Sequence, residues 1–314
     1  SGVFDIFKND ILDQQHDGAI FQLEGKLAFS TDSYVVSPIF FPGGNIGDLA
    51  INGTVNDLAM CGANAKYLSL SFIIEEGLAM NEFWQVLVSI KEAAENAGVQ
   101  VVTGDTKVVE KGKGDKIFIN TSGIGVVHPK ARIHHNHIEP GDVILISGPI
   151  ATHGIAIMSL RKGLEFETEL KSDTANLNHC TQALIETFGS NIKFMRDPTR
   201  GGIASVLNEI AELTQLGFLL DQRKLPMDEQ VEGACEMLGL DPLYVANEGL
   251  FLAVVKGQIA QDFLSALKEF PLCENAAIIG EVAQTPAGKV LMKSGIGGTR
   301  VVNYLTGEQL PRIC

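Results

Sequence analysis

The chain ends on a cysteine. Cys314 closes the run Pro311-Arg312-Ile313-Cys314, which puts a thiol on a tether, because chain ends are loosely held unless something ties them down. The preceding stretch, Val301 to Leu310, is mostly polar and finishes in a turn-like Gly-Glu-Gln piece. A thiol so placed can be handed between sites. Its neighbour is the α-carboxylate, which disfavours the thiolate, so Cys314 needs activation by whatever it visits. Three aspartates form a second chemical set. Asp32 lies in Ser30-Thr31-Asp32-Ser33, Asp57 in the apolar Asn56-Asp57-Leu58-Ala59-Met60, and Asp105 in Thr103-Gly104-Asp105-Thr106-Lys107. Asp17, in His16-Asp17-Gly18-Ala19, is a fourth candidate. Carboxylates on unlike elements suit magnesium, which takes a few of them together with phosphate oxygens and water. Lys107 would add a point charge on a phosphate. Each aspartate also reads as a cap or turn residue. Asp57 fits that reading least, since a carboxylate in an apolar helix needs a partner.

The elements that must position these groups follow from periodicity. Lys26 to Val36 reads as a strand carrying Asp32 near its end, and Phe41-Pro42-Gly43-Gly44-Asn45 breaks it and opens a helix to about Cys61. Lys66 to Ile74 is a strand, and Asn81 to Ala97 a helix capped by Asn81 and closed by Gly98. Val99 to Thr103 and Lys116 to Val127 are strands, which sets Asp105 just beyond a strand end, and Ile138-Glu139-Pro140-Gly141 marks a domain boundary. The second half restarts with the strand Asp142 to Ile146 and the helices His153 to Lys162, Thr174 to Phe188 and Gly202 to Gln215. The strand 217–220, the helix 228–238, the strand 250–255, the helix 258–270 and the strand 277–282 complete it. Glycine-rich helix openings recur at Pro42-Gly43-Gly44-Asn45, Thr152-His153-Gly154 and Thr199-Arg200-Gly201-Gly202. Free amides there suit an anion, although each opening taken alone is more often simple turn geometry. There is no Walker loop and no G-x-G-x-x-G between strand and helix. The reading is an α+β fold in two domains, 1–138 and 139–300, with a mobile tail over 301–314.

Composition narrows the function classes. The 314 residues are 45% hydrophobic and 20% charged, ordinary for globular domains, and the net charge of −14 opposes a nucleic-acid face. No run of about 18 apolar residues offers a membrane span. No basic segment followed by an apolar core suggests a leader, and a start at Ser1 without Met reads as trimmed. Five scattered cysteines form neither a disulfide framework nor a zinc pattern. The expected compartment is therefore the reducing cytoplasm. Cys61, Cys180, Cys235 and Cys273 read as small hydrophobes. His134, His135 and His137 read as surface residues rather than a metal site, and Lys111-Gly112-Lys113-Gly114 as a solvated turn that could steer a nucleotide.

The order of the motifs adds a resemblance. Phe-Phe-Pro-Gly-Gly-Asn-Ile-Gly (40–47), Asn-Asp-Leu-Ala (56–59), Thr-Gly-Asp-Thr-Lys (103–107), Arg-Asp-Pro-Thr-Arg-Gly-Gly (196–202), Asn-Glu-Gly (247–249) and the terminal Pro-Arg-Ile-Cys together resemble the HypE family of hydrogenase maturation proteins. The internal motifs are shared with aminoimidazole ribonucleotide synthetase, selenophosphate synthetase and thiamine-monophosphate kinase, whereas the terminus is particular to HypE. The resemblance implies the two-domain synthetase-like fold, a homodimer with its nucleotide site near the interface, and ATP with Mg2+. It also implies an ATP-dependent dehydratase acting on its own tail. A carbamoyltransferase, HypF, carbamoylates the Cys314 sulfur, dehydration yields a thiocyanate, and the cyanide passes through a HypC–HypD complex to the iron of nickel–iron hydrogenase. Under that implication Asp32, Asp57 and Asp105 hold magnesium and Lys107 neutralises phosphate charge. Gly43, Gly44 and Asn45 join them around the nucleotide, and Glu248, before an apolar strand, is the candidate base for the two N–H protons. The family's N-terminal His-Gly-Ser-Gly-Gly segment does not precede Ser1-Gly2-Val3 here, so weakened ATP binding is expected of this chain. Two rivals remain open: a small-molecule kinase or synthetase of the same superfamily, indifferent to Cys314, and a non-enzymatic carrier that uses Cys314 alone.

Overall fold

A computed structural model describes residues 2–166, 169–307 and 310–314. The first half is a four-stranded sheet with two helices on one face. Its elements are β1 (Leu27–Tyr34), the two-residue strands β2 (Phe40–Phe41) and β3 (Gly44–Asn45), α1 (Ile46–Met60), β4 (Ala63–Glu75), α2 (Met80–Ala97), β5 (Gln100–Val109) and β6 (Ile117–Val127). The sheet order is β1-β6-β4-β5, antiparallel except for the parallel β4–β5 pair. Side chains alternate across a strand, and β6 shows it: Ile117, Ile119 and Thr121 are buried under α1 while their neighbours are not. Helix α1 is buried almost all round, which explains how Asn52, Thr54 and Asn56 sit in its middle as buried polar groups.

The second half is a seven-stranded sheet covered on both faces. It comprises β7 (Val143–Ile146), α3 (Thr152–Lys162), α4 (Asn178–Phe188), β8 (Ile192–Arg196), α5 (Gly202–Thr214) and β9 (Gly217–Asp221). It continues with α6 (Glu229–Leu238), β10 (Leu252–Val255), α7 (Ala260–Lys268), β11 (Ala277–Ala283), β12 (Lys289–Lys293) and β13 (Thr299–Val301). The strand order is β13-β12-β9-β11-β7-β10-β8. Period-two alternation divides the central strands between two cores. Ile144, Ile146, Leu252 and Val254 join residues of α3, α5 and α6, whereas Leu145, Ala253 and Val255 join residues of α4 and α7. Ala59 and Met60 at the end of α1 enter the second core, so the two halves share packing.

Several expected boundaries move. Helix α2 starts at Met80 with no side-chain cap, so Asn81 is not its cap, while Gly98 does close it in the left-handed conformation. Strand β5 runs on to Val109 because β4 is long enough to pair with it throughout, which places Asp105 and Lys107 within an edge strand. Helix α4 starts at Asn178 rather than at Thr174. The residues before it are held outside the helix by α1, whose Asn56 side chain donates to the Ala175 carbonyl and accepts from the Leu177 amide. Strands β8, β12 and β13 are short and carry charged residues between few apolar ones, and sequence periodicity did not reveal them.

Candidate active site

The C-terminal tail ends inside the protein. Residues 310–314 return to the junction of the two halves, where Ile313 forms a bridge with Val36 and is 2% exposed. Val35 donates its amide to the Cys314 carbonyl at 2.9 Å, and Ser37 donates to the Arg312 carbonyl at 3.2 Å. From α3, the buried imidazole of His153 pairs with the Ile313 carbonyl at 2.8 Å, its other nitrogen being 2.7 Å from the Ser172 hydroxyl. Burial holds His153 down to about 4, so the ring is neutral at physiological pH and can serve both partners. Arg161, one α-helical turn beyond the middle of α3, donates to the carbonyls of Ser37, Pro311 and Arg312. Arg312 itself clasps both carboxylate oxygens of Asp115 at 2.8 and 3.0 Å. Glu308 and Gln309, of the expected turn, lie outside the described residues.

This path delivers the thiol to a cavity of about 470 Å³ bounded by Asp32 and Thr31 from β1, Asp57 from α1, Asp197 and Arg200 from the β8–α5 loop, and Glu248. The Cys314 thiol donates a hydrogen bond to the Glu248 carboxylate. Burial, then the charges of Glu248 and Asp32, push the thiol well up, against Arg200. Glu248 is likewise held well above the usual carboxylate range, first by burial and then by the charges of Asp173, Asp197 and Asp32. Asp197 is raised to about 7 by burial and then by Asp57. Asp57 is raised by burial and by Asp32, although Ser30 donates to it at 2.8 Å. Burial also raises Asp32, with the Ser33 amide and Arg200 opposing. These groups face one another with few cations between, so the cavity favours either protons or a ligand bearing positive charge. One oxygen of Glu248 and one of Asp173 are buried without a hydrogen-bond partner among the described residues.

Of the expected site residues, the structure therefore brings together Cys314, Glu248, Asp32 and Asp57. It does not bring Asp105 and Lys107 to them. Asp32 is in register with Thr121, Leu70 and Gly104 across the sheet, and Thr121 and Leu70 face the helices. Asp105 is the next residue along β5, so alternation turns it to the opposite face, three strands away. There Asp105 and Lys107 pair with each other at 2.8 Å, both largely exposed. One ion held by Asp32, Asp57 and Asp105 of a single chain does not form. Among the described residues no three His, Cys, Asp or Glu side chains close on a common point.

Gly43, Gly44 and Asn45 are occupied by their own structure. The Asn45 side chain accepts from the Gly47 amide while Asp48 accepts from the Asn45 amide, a reciprocal cap on α1. Gly43 is packed so closely that a Cβ would lie 2.9 Å from the Ser172 backbone. The α3 opening is also engaged, its Gly154 amide bonding the Ala246 carbonyl at 3.0 Å. It is the third glycine-rich opening that contributes to the cavity, through Thr199 and Arg200. Asp17 is exposed and outside the cavity.

The remaining sequence candidates take no part. Among the histidines, the His134 side chain accepts from the Asn136 amide and His137 pairs with the Arg132 carbonyl. The Lys111–Gly114 turn closes on Glu75, which accepts from the Gly112 and Gly114 amides. Cys180, Cys235 and Cys273 are buried as expected, whereas Cys61 is exposed at the end of α1. Sequence reasoning missed Asp173, and it gave Asp197 and Arg312 no part beyond the motifs that contain them, whereas Thr199 and Arg200 belonged to a glycine-rich opening it read as suited to an anion. The dense Arg-Asp-Pro-Thr-Arg run between a strand and a glycine-rich helix start was the signal available for Asp197.

Comparison with known proteins identifies the family and the fold. Residues 15–127 match the AIR synthase related protein N-terminal domain, and residues 139–293 match its C-terminal domain. Carbamoyl dehydratase HypE of Rhizobium leguminosarum bv. viciae is 48% identical over 309 residues, which span 98% of this chain and 88% of that protein. A crystal structure of hydrogenase maturation protein HypE in complex with ATP superposes with a TM-score of 0.95 at 47% identity, over 99% of this chain and 94% of that one. A HypE–HypF complex gives 0.86 at 45% identity, over 96% and 97%. A two-domain α+β synthetase-like fold, two matched family domains and near-half identity along the whole chain lead to one assignment: this chain belongs to the HypE family of hydrogenase maturation proteins, within the AIR synthase related group.

Proposed function

We propose that the protein is an ATP-dependent carbamoyl dehydratase whose substrate is its own C-terminal cysteine. The observation that carries this reading is the Cys314 thiol hydrogen-bonded to Glu248 at the bottom of an acidic cavity, with the tail secured by His153 and Arg161. Overall, Cys314–S–C(=O)NH2 and ATP give Cys314–S–C≡N, ADP and inorganic phosphate. The amide oxygen leaves poorly as hydroxide and readily as phosphate, so the γ-phosphoryl group is transferred to that oxygen before the C–O bond breaks. Two N–H protons are lost on the way to C≡N. Glu248 takes them one at a time and passes them to solvent. Its high affinity for a proton is what a base for such weakly acidic protons requires, and its partnerless buried oxygen is available for the task. Arg200 supports the negative charge that develops during transfer.

Magnesium fits as a two-carboxylate ligand rather than the three-carboxylate one expected above. Asp32 and Asp57 face the same cavity, and the charge of Asp32 raises the affinity of Asp57 for positive charge, as a neighbouring ligand of a shared cation does. They would hold the ion, which supplies charge neutralisation for the phosphates. The exposed outer face of the first sheet, with Phe29 73% and Ile73 45% exposed, supports a homodimer. Its second copy would bring Asp105 and Lys107 to the nucleotide from across the interface, which reconciles their distance from the cavity within one chain. Carbamoylation of Cys314 by HypF and delivery of cyanide through HypC–HypD complete the cycle, in the cytoplasm. No helix among the described residues is long and apolar enough to cross a membrane.

Intact-protein mass spectrometry of chain carbamoylated at Cys314 tests the reading. With ATP and magnesium the mass should fall by one water, and a non-hydrolysable nucleotide should leave it unchanged. An unchanged mass with ATP in a chain preceded by the family's glycine-rich segment would overturn it. A kinase of the same superfamily would have no use for a thiol in its cavity, and a plain carrier would have no use for the base.

A further inference from the structure

The reaction described so far uses Glu248 and the tail, yet the segment from Ser172 to Leu177 touches both and has no assigned part. It runs between the two halves without helix or strand. At one end Ser172 donates its amide to the Pro42 carbonyl at 2.8 Å and holds the imidazole of His153 through its hydroxyl at 2.7 Å. That imidazole is the one on the Ile313 carbonyl. At the other end, the Ala175 carbonyl and Leu177 amide are fixed by the buried side chain of Asn56 in α1. Between them lies Asp173, half-buried as a residue but with a carboxylate oxygen fully covered. One of its oxygens accepts from the amide of Glu248 at 3.0 Å and from that of Gly249. The fit is close: a Cβ on Gly249 would lie 1.6 Å from the Asp173 carbonyl oxygen, so no larger residue can follow the base without displacing this segment. Asn56 also donates to the Glu248 carbonyl at 3.2 Å, closing a ring of main-chain contacts around the base.

We infer that Asp173 is a positioning residue for the dehydration: it fixes the backbone of Glu248 so that the base meets the tail sulfur. Through its neighbour Ser172, the same strap fixes the clamp that holds the tail. Base and substrate are thus located from one rigid segment, and neither depends on its own flexible loop. A buried carboxylate is costly unless its hydrogen bonds repay it, and two main-chain amides of the catalytic loop are what this one serves. Misplacement of a base by about an ångström is enough to slow a reaction by about a hundred-fold, so the strap's value lies in rate rather than in stability. The inference rests on Glu248 being the base.

The test is single-turnover dehydration of the carbamoylated chain, followed by mass, in two Asp173 variants. Asp173→Asn keeps a carbonyl oxygen for the Glu248 and Gly249 amides and should retain a rate within about three-fold of the native chain. Asp173→Leu has similar bulk and no acceptor, and should lose about ten- to a hundred-fold in rate at saturating ATP, with the ATP concentration for half-maximal rate unchanged. Equal losses in both variants, or no loss in the leucine variant, would overturn the inference, since a merely structural role would not be rescued by the amide oxygen alone. If the leucine variant does not fold, amide hydrogen exchange in the native chain decides. Slow exchange at Glu248 and Gly249, preserved in Asp173→Asn, supports the strap, and rapid exchange at both overturns it. Glu248→Gln separates the two levels. An active Glu248→Gln would remove the base itself, whereas an inactive one alongside equal Asp173 losses would remove only the strap.

Discussion

Replacing Ile313 with alanine should release the tail while leaving the body folded. The side chain is 2% exposed and belongs to the main core, packed with residues of both halves. Truncating a buried isoleucine to alanine costs about 2–4 kcal/mol. At an interior position that cost would be subtracted from global stability. Here the tail is joined to the body by the Val36 bridge with its flanking main-chain bonds from Val35 and Ser37, and by the side chains of His153 and Arg161, so it can leave without unfolding either sheet. The cost therefore falls on the docking equilibrium. Since about 1.4 kcal/mol is ten-fold, the undocked fraction should rise about thirty- to a thousand-fold. The assay is alkylation of Cys314 by a neutral thiol reagent, site-resolved by peptide mass spectrometry, with exposed Cys61 as the internal standard. Cys314 in the native chain should react far more slowly than Cys61. In Ile313→Ala the two rates should converge, while the thermal midpoint moves by no more than a few degrees. Equal labelling of both thiols in the native chain would refute docking, and an unchanged Cys314 rate in the variant would refute the role given to Ile313.

Two more outcomes follow from the cavity and its surroundings. Asp48 is pushed up to about 7 by burial, and one of its oxygens is buried without a partner among the described residues. A carboxyl with a raised folded-state value holds a proton that the unfolded chain releases. Its contribution is thus fully present below the ordinary carboxylate range and is lost as pH rises to about 7. Asp48→Asn keeps an oxygen for the Asn45 amide and removes the titration. In urea unfolding it should gain about 1–2 kcal/mol over the native chain at pH 8 and nothing at pH 4, and a gain independent of pH would count against the assignment. For the shared nucleotide site, Asp57→Asn and Lys107→Ala chains should each be inactive alone. Mixed after dissociation, they should recover about a quarter of native activity, because half the dimers would contain one intact site of two. No recovery would place the whole site within one chain.

How much of this was legible beforehand varies with the kind of information involved. Most helices and most long strands follow from local periodicity, and α2 with Gly98 is the clearest instance: apolar residues recur on one face and a left-handed glycine ends it. The chemical inventory was legible too. A terminal cysteine, an aspartate in an apolar helix and an Asn-Glu-Gly before an apolar strand are unusual enough to stand out in one dimension. What the sequence could not give was who meets whom. Asp32 and Asp105 look equivalent as aspartates in or near strands, yet a single residue's step in register puts one over the helices and the other on the opposite face. Gly43-Gly44-Asn45 looks like an open anion cradle, and only the reach of Asp48 back to Asn45 and the approach of Ser172 show that it is filled. The tail is the plainest case. Its four residues are polar or terminal enough to suggest freedom, but a long-range bridge to Val36, a neutral buried histidine and an arginine from α3 decide that it lies inward. Composition and spacing determine which groups a chain possesses. Contacts between residues more than a hundred positions apart determine which of them face one another, and those depend on the packing of the whole chain.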